Sequence, residues 1–389
     1  MAKQFKYCPN PKCTVGEKEM TRPTIIMPAN ALYKPEGGSN VVIAAPKKFR
    51  KKWGGNFKYK DKITKKKYKM DKNVVYCPVC NERISLKKEP FRIVIIGPTA
   101  CGKTVYLTVL HEIMANRRAQ LPMYFSRVGG DGAFTFERDG NKYFLPNATA
   151  NSAFDYMIYD CEKGVGDDDF YKLKKKGVSR KQRDKENVEL IFYDLSGEFF
   201  QEGDLTRAED RYVKLAQLDH ADLVLIVIDC KTIVGESNER SQEFSKFLDE
   251  QLRGLKKRNQ KNFSAAICYL AADELDSDVY REIKDEIRNP MYNTQGFFRK
   301  ECDKHIADVY KAFGREKGVV KRLIGDGLFV QGETLGLFAV SSVGDQPIVD
   351  TGEGEYVLDF KSEQSWNVMA PIFWFLNRKG YVDTVESKN

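Results

Sequence analysis

Hydrophobic positions follow one rhythm from Phe91 onward and none before it. Phe91–Ile96, Val188–Tyr193, Leu223–Ile228, Phe263–Leu270 and Gly336–Val340 are short apolar runs rich in Ile, Val, Leu and Phe. Runs of that length, apolar on both faces, predict buried strands of a mostly parallel sheet. Between them, Thr104–Arg118 spaces Val105, Leu107, Val109, Leu110, Ile113 and Met114 as one helix would. Leu205–Leu218 and Glu236–Lys257 also predict helices, and Ser365–Asn377 predicts a closing amphipathic helix that runs through Pro371. The alternation predicts an α/β fold of three layers, with helices on both faces of the sheet. Residues 120–187 and 274–330 read as insertions: the first as loop-rich, the second as extra helices and loops.

Composition narrows the class. A chain of 389 residues with 42% hydrophobic content has core material for two to three domains, which excludes wholesale disorder. No apolar run approaches the roughly 20 residues that cross a bilayer, and Met1–Cys8 lacks the apolar stretch of an export signal. The expected location is cytoplasmic. Three histidines, His111, His220 and His305, exclude chemistry that needs several of them. The net charge of +9 is local: residues 47–72 hold 13 Lys/Arg against 2 Asp/Glu, more than the whole excess. The expected organisation is an N-terminal lobe over residues 1–90, with the basic insert inside it, followed by an α/β domain over 91–389.

The turn after the first strand carries the chemistry. Gly97-Pro98-Thr99-Ala100-Cys101-Gly102-Lys103-Thr104 is GxxxxGK[ST], between a predicted strand and a predicted helix. Backbone N–H groups of such a loop, together with the helix N-terminus, converge on phosphate oxygens. Gly97 and Gly102 let the backbone curl, Lys103 reaches the β/γ-phosphates, and the Thr104 hydroxyl ligates Mg²⁺. Cys101 reads as a small filler. The expected fold is therefore that of a P-loop NTPase.

The next strand ends in Asp194-Leu195-Ser196-Gly197, a DxxG string that resembles the switch II motif of GTPases. Asp194 at a strand end suits the Mg²⁺ shell, and the Gly197 N–H suits a γ-phosphate. Leu270-Ala271-Ala272-Asp273 stands where GTPases carry [NT]KxD. Asp273 would take the guanine N1 and N2 donors, although the usual Asn/Thr and Lys are replaced; a helix N-cap is the competing reading. Ala339–Gly344, with Ser341 and Ser342, resembles the loop whose backbone meets guanine O6. Asp229 reads as structural. Together these residues resemble the translation-factor-related (TRAFAC) class of P-loop GTPases. More narrowly, DLSGE, SSVG and the closing Trp366–Leu376 segment resemble a bacterial double-GTPase family over about residues 91–380, whose members occur in predicted conflict or defence loci. The resemblance implies a switch I threonine, Thr149 with Thr135 as rival, and a second GTPase as partner. Glu198 stands where many small GTPases have Gln; it either orients the attacking water or is structural. Arg207 and Arg211 read as surface charges, so no arginine finger is named and hydrolysis is expected to be slow.

Cys8-x₄-Cys13 and Cys77-x₂-Cys80 are two chelating pairs, each with Pro after its first cysteine. Four thiolates on two turns suit a closed structural Zn²⁺ site in a zinc-ribbon-like lobe, without metal catalysis. In residues 47–72, Phe49, Trp53, Phe57, Tyr59 and Tyr68 interleave with the lysines, a pattern that suits nucleic acid first and a membrane surface or acidic protein next. A solvated hairpin is the plain alternative. The expectation is a GTP-binding, slowly hydrolysing switch. An ATP-using P-loop NTPase is one alternative, and a non-catalytic interaction module whose fold is stabilised by nucleotide is another.

Overall fold

The computed structural model describes residues 6–14, 25–26, 32–33, 43–44, 58–60, 67–69, 74–85, 90–98, 101–116, 120–130, 134, 136–139, 142–144, 155–163, 187–195, 220–230, 249, 253, 263–274, 283, 291–314, 320, 324–344, 349–350, 356–358 and 365–386. Its main elements are β1 (Pro90–Ile96), α1 (Lys103–Asn116), β2 (Met123–Gly129), β3 (Tyr156–Lys163), β4 (Val188–Asp194), β5 (Leu223–Asp229), β6 (Ser264–Leu270), α2 (Arg299–Val309), β7 (Leu335–Ala339) and α3 (Ala370–Arg378).

The seven strands form one sheet in the order β2-β3-β4-β1-β5-β6-β7. The contacts β4–β1, β1–β5, β5–β6 and β6–β7 are parallel, and β2–β3 and β3–β4 are antiparallel. The seven-stranded, mostly parallel α/β sheet bears out the fold read from the sequence. Strand β1 is central, with β4 and β5 on opposite sides. That arrangement opens a crevice at the strand C-termini, where open α/β sheets bind ligands. Asp194 lies beside Ile95 and Ile226 beside Ile96, so the ends of β4, β1 and β5 converge on the 97–102 loop.

Two expectations are corrected. Residues 120–187 are not simply loop: β2 and β3 supply the antiparallel edge of the sheet. The closing helix does not begin at Ser365. Trp366 bridges Ser341, Asn367 turns at φ 58°, and the helix starts at Ala370 with Pro371 in its first turn. Proline lacks the N–H that a helix interior needs but costs nothing in the first turn, so Pro371 marks a start rather than an interruption. Of the predicted helix Leu205–Leu218 nothing lies among the described residues, and of Glu236–Lys257 only Asp249 and Arg253, both helical, do.

Helix α3 is the centre of one layer. Ala370 through Leu376 are all buried, and Phe91 meets the Phe375 and Tyr381 rings edge-on. Trp374 lies against Phe338 of β7, and its indole N–H donates to Gly332 O. Tyr106 ties α1 to this layer through a hydroxyl bond to Val368 O.

On the other face of β3 and β4 sits the N-terminal segment. Strands 43–44, 32–33, 74–76 and 83–85 form a small antiparallel sheet, and Lys58–Lys60 pairs with Lys67–Lys69. Arg83 donates to Glu189 (2.8 Å) and to Asp160 (3.2 Å), which are register partners on β4 and β3. The Tyr193 hydroxyl donates to Pro9 O (3.0 Å), and the Tyr156 hydroxyl donates to the Glu82 carboxylate.

Candidate functional site

The loop between β1 and α1 is built by close approach. A Cβ on Gly97 would lie 2.5 Å from Val227 O and 2.9 Å from Cys101 Sγ, so only glycine fits. Gly102 has φ +85°, a left-handed conformation that glycine adopts freely, and its carbonyl takes the Tyr106 N–H as α1 begins. Lys103 is buried, and its ammonium donates to Gly97 O and Pro98 O, both at 3.2 Å, so the charge lies across the loop. Thr104 is half-buried on the first turn of α1. Cys101 is buried, and burial pushes its thiol up to about 11, so it stays protonated at neutral pH. Thr99 and Ala100 lie outside the described residues.

Asp194 is the unusual group here. It ends β4, is 2% exposed, and among the described residues neither carboxylate oxygen has a hydrogen-bond partner. Burial pushes its carboxyl up to about 6; the Lys103 charge opposes that rise and the Asp155 charge adds to it. A buried carboxylate without a partner is costly to ionise, and a cation or polar ligand beside it relieves that cost. Asp155, which the sequence did not single out, takes the Asp194 N–H on its carbonyl at 2.9 Å. Its position just before the apolar run Tyr156–Tyr159 was the available signal.

A second loop pair closes the other end of the crevice. Ala272 donates to Val340 O and Val340 donates to Tyr269 O, so the turns after β6 and β7 lie side by side. Asp273 sits half-buried in a single helical turn, and Ala271 before it has φ 54°. Ser341 accepts the Gly344 N–H on its hydroxyl, while the Ser342 hydroxyl is buried without a partner among the described residues. The structure thus brings Gly97–Pro98, Cys101–Thr104 and Asp194 together at the ends of β1 and β4. It sets Asp273, Ser341 and Ser342 on the neighbouring turns at the ends of β6 and β7. Thr135, Thr149, Gly197, Glu198, Arg207 and Arg211 lie outside the described residues. Asp229 is half-buried at the end of β5.

The four cysteines meet although they are far apart in sequence. The sulfurs of Cys8, Cys13, Cys77 and Cys80 all lie within 4.8 Å of one another. Cys8 Sγ is 3.5 Å from Cys80 Sγ and Cys13 Sγ is 3.4 Å from Cys77 Sγ. Sulfurs at the corners of a tetrahedron with Zn–S of 2.3 Å would be about 3.8 Å apart, so the set fits a tetrahedral metal. Hydrogen bonds from Cys8 and Cys80 pull the Cys77 thiol well below the usual thiol range. Local turns shape both halves: Cys13 N donates to Asn10 O, Cys77 N donates to Glu82 O, and Asn81 has φ 59°. Of the basic segment, only the backbone pairing of Lys58–Lys60 with Lys67–Lys69 is described, with Tyr59 opposite Tyr68. Among the described residues no helix is long and apolar enough to cross a membrane.

Residues 177–318 match the model of a family described as Double-GTPase 2. That match bears out the resemblance to double-GTPases read from the short motifs. Among curated proteins none matches the chain. Solved structures similar to it include an Era variant from Aquifex aeolicus bound to GDP·AlF4⁻, at 11% identity and TM-score 0.31, covering 77% of this chain and 58% of that one. Era with MgGDPNP and a segment of 16S ribosomal RNA is 11% identical at TM-score 0.30, covering 78% of this chain and 60% of that one. The SRb-GTP/SRX complex of Chaetomium thermophilum is 14% identical at TM-score 0.29, covering 66% of this chain and 93% of that one. The chain spans about three fifths of the length of the two Era chains it is similar to.

Proposed function

We propose, taking the double-GTPase match and the P-loop strand order as premise, that this chain binds GTP with Mg²⁺ and hydrolyses it slowly, as a molecular switch. The observation that carries the reading is Asp194: a buried carboxylate with two unpartnered oxygens, beside Lys103 and at the end of the strand next to a GxxxxGKT loop. Phosphates belong on the loop amides and the Lys103 ammonium. Thr104 and Asp194 would hold Mg²⁺, Asp194 through water, and Thr149 would join them. Bound there, the ion neutralises charge that develops on the β–γ bridge. The Gly197 N–H would meet the γ-phosphate and Glu198 the attacking water. Asp273 would read the guanine N–H groups, with the Ser341 and Ser342 turn on the far side of the base. Without a named arginine finger, the expected rate is on the order of 10⁻⁴ to 10⁻² s⁻¹.

The four cysteines would hold one Zn²⁺ as a structural staple of residues 1–90, with residues 91–389 as the nucleotide-binding domain. The lysine-rich strand pair supports a polyanion contact, nucleic acid first, because like charges in direct register need a counter-charge. A second GTPase as partner and a role in a bacterial conflict system follow from the double-GTPase resemblance alone, and a cytoplasmic location follows from the sequence reading above.

The test is equilibrium binding of GTP, GDP, ATP and ADP with Mg²⁺, with Lys103→Ala as control. Guanine nucleotides should bind, and the variant should lose at least about 100-fold in affinity, as expected when the buried cation at the phosphates is removed. Equal affinity for adenine nucleotides would overturn the guanine reading. Absence of any binding would overturn the switch itself.

A further inference from the structure

We propose that the four-cysteine cluster clamps the strand ends that present Asp155 and Asp194, so that metal at the cysteines and nucleotide at the 97–104 loop bind cooperatively. Tyr156 and Tyr193 are the positioning residues. The inference rests on the nucleotide-site reading above.

The two tyrosines are register partners on β3 and β4, with rings stacked at 6.3 Å and 22°. Each hydroxyl is held by a different half of the cysteine cluster. Tyr193 donates to the carbonyl of Pro9, the residue after Cys8. Tyr156 donates to the carboxylate of Glu82, whose own carbonyl takes the Cys77 N–H and closes the second turn. Gly129 leaves room for this contact: a Cβ there would lie 2.7 Å from Glu82 Oε1. Further along the same face, past the Ile158–Ile191 pair, Arg83 ties the same lobe to Asp160 and Glu189, which are again register partners. The lobe is therefore keyed to two rungs of one face of the β3–β4 ladder, with one apolar rung between them.

The next residues outward are Asp155, before Tyr156, and Asp194, after Tyr193. Side chains alternate between faces along a strand, so both carboxylates belong to the face opposite the lobe, the face of α1 and Lys103. The Asp194 N–H to Asp155 O bond locks the two together. By sequence, Thr149 lies upstream of Asp155, and Gly197 and Glu198 follow Asp194, so both nucleotide-sensing stretches are rooted on this rung.

Sulfur contacts join the two cysteine turns, Cys8 to Cys80 and Cys13 to Cys77. A metal bonded to all four sulfurs fixes the separation of Pro9 and Glu82, and with it the two hydroxyl anchors. Tyr193 is buried and its hydroxyl is pushed up to about 12, so it remains a donor across the working pH range. Linkage then requires reciprocity: whatever factor metal adds to nucleotide affinity, nucleotide adds to metal affinity.

The experiment uses the full chain loaded with Zn²⁺. Affinity for a fluorescent GDP analogue with Mg²⁺ is measured before and after a zinc-selective chelator. Zn²⁺ affinity is measured against the same chelator with and without the same GDP analogue and Mg²⁺. Both ratios should agree, at about tenfold. In Tyr156→Phe/Tyr193→Phe, which keeps both rings, the folded protein should still bind each ligand, and the ratio should fall to about one. A ratio within about twofold of one in the wild type, or an unchanged ratio in the double variant, would overturn the clamp. If the wild type binds no nucleotide, the switch reading fails instead. Hydrogen exchange then judges the clamp by itself. Faster exchange at 155–157 and 193–195 on zinc removal, reproduced by the double variant with zinc bound, supports it; unchanged exchange overturns it.

Discussion

Replacing Asp194 with Asn should stabilise the empty protein while removing its response to Mg²⁺. The carboxyl is pushed from 3.8 up to about 6, chiefly by burial. Each pKa unit is about 1.4 kcal/mol, so ionising Asp194 in the folded chain costs about 3 kcal/mol more than in the unfolded one. The sign follows from the raised value. Below pH 3.8 the group is protonated in both states and the variant gains nothing. Between 3.8 and about 6 the folded state holds the extra proton, so wild-type stability falls as pH rises, and above about 6 the full cost applies. Unfolding entropy near 2.1 cal/mol/K per residue gives about 0.8 kcal/mol/K for 389 residues, so 3 kcal/mol is about 4 °C in Tm. The assay is calorimetry on nucleotide-free protein in magnesium-free buffer at pH 3.5, 5 and 7. Asp194→Asn should match the wild type at the lowest pH and exceed it by about 4 °C at the highest. Equal or lower Tm at pH 7 would refute the claim that this carboxylate is held in wait of a ligand, because a structurally paired aspartate loses stability on amidation.

Two further outcomes follow from contacts already described. Gly97→Ala places a Cβ 2.5 Å from Val227 O, so β1 and β5 must part at the loop; nucleotide affinity should fall more than about 100-fold in the binding assay, with helix content by circular dichroism retained. Arg83→Ala leaves the Glu189 carboxylate, 4% exposed, without its guanidinium, and urea unfolding should show a loss of about 3–5 kcal/mol, against under about 1 kcal/mol for removal of the exposed Lys300 partner of Glu386.

The five parallel strands were legible because their runs are apolar on both faces, as a doubly covered sheet demands. Strands β2 and β3 were not, because MYFSRVG and YMIYDCEK mix Ser, Arg, Asp, Glu and Lys into the run. One of those polar residues is explained by the N-terminal segment: Asp160 meets Arg83 there, a partner 77 residues away that no local pattern announces. The tight turn between β1 and α1 was legible because Gly97, Gly102 and Lys103 are read from one consecutive string, and the close packing at Gly97 and the left-handed Gly102 follow it. The tyrosine anchors were not, since Tyr193 and Pro9 are 184 positions apart and each looks like ordinary core or turn material. The closing helix was misread at its start because the periodicity of Trp366–Met369 continues that of the helix, although Trp366 is a bridge partner of Ser341.

Base selection is where departure from the GTPase pattern has the clearest consequence. Position 270 holds Leu rather than Asn or Thr, and its side chain is part of the loop junction: it is 4% exposed, and a Cβ on Gly102 would lie 3.3 Å from its Cδ1. A buried aliphatic chain donates and accepts nothing, so on the guanine reading proposed above the side-chain recognition would fall to Asp273. A carboxylate takes both the N1–H and N2–H donors of guanine, and hydrogen bonds to a charged group contribute about 1.5–3 kcal/mol. Preference for GTP over ATP should then be only about 10- to 200-fold. Asp273→Asn turns one acceptor into a donor, which mismatches the guanine 2-amino group and matches the 2-oxo group of xanthine. The variant should lose at least about tenfold in GTP affinity, a step of 1.4 kcal/mol, and gain in XTP affinity, measured by competition against a fluorescent analogue. If GTP and XTP affinities are both unchanged, Asp273 is only a cap on its helical turn, and guanine selection must come from backbone groups of the Ser341–Gly344 turn.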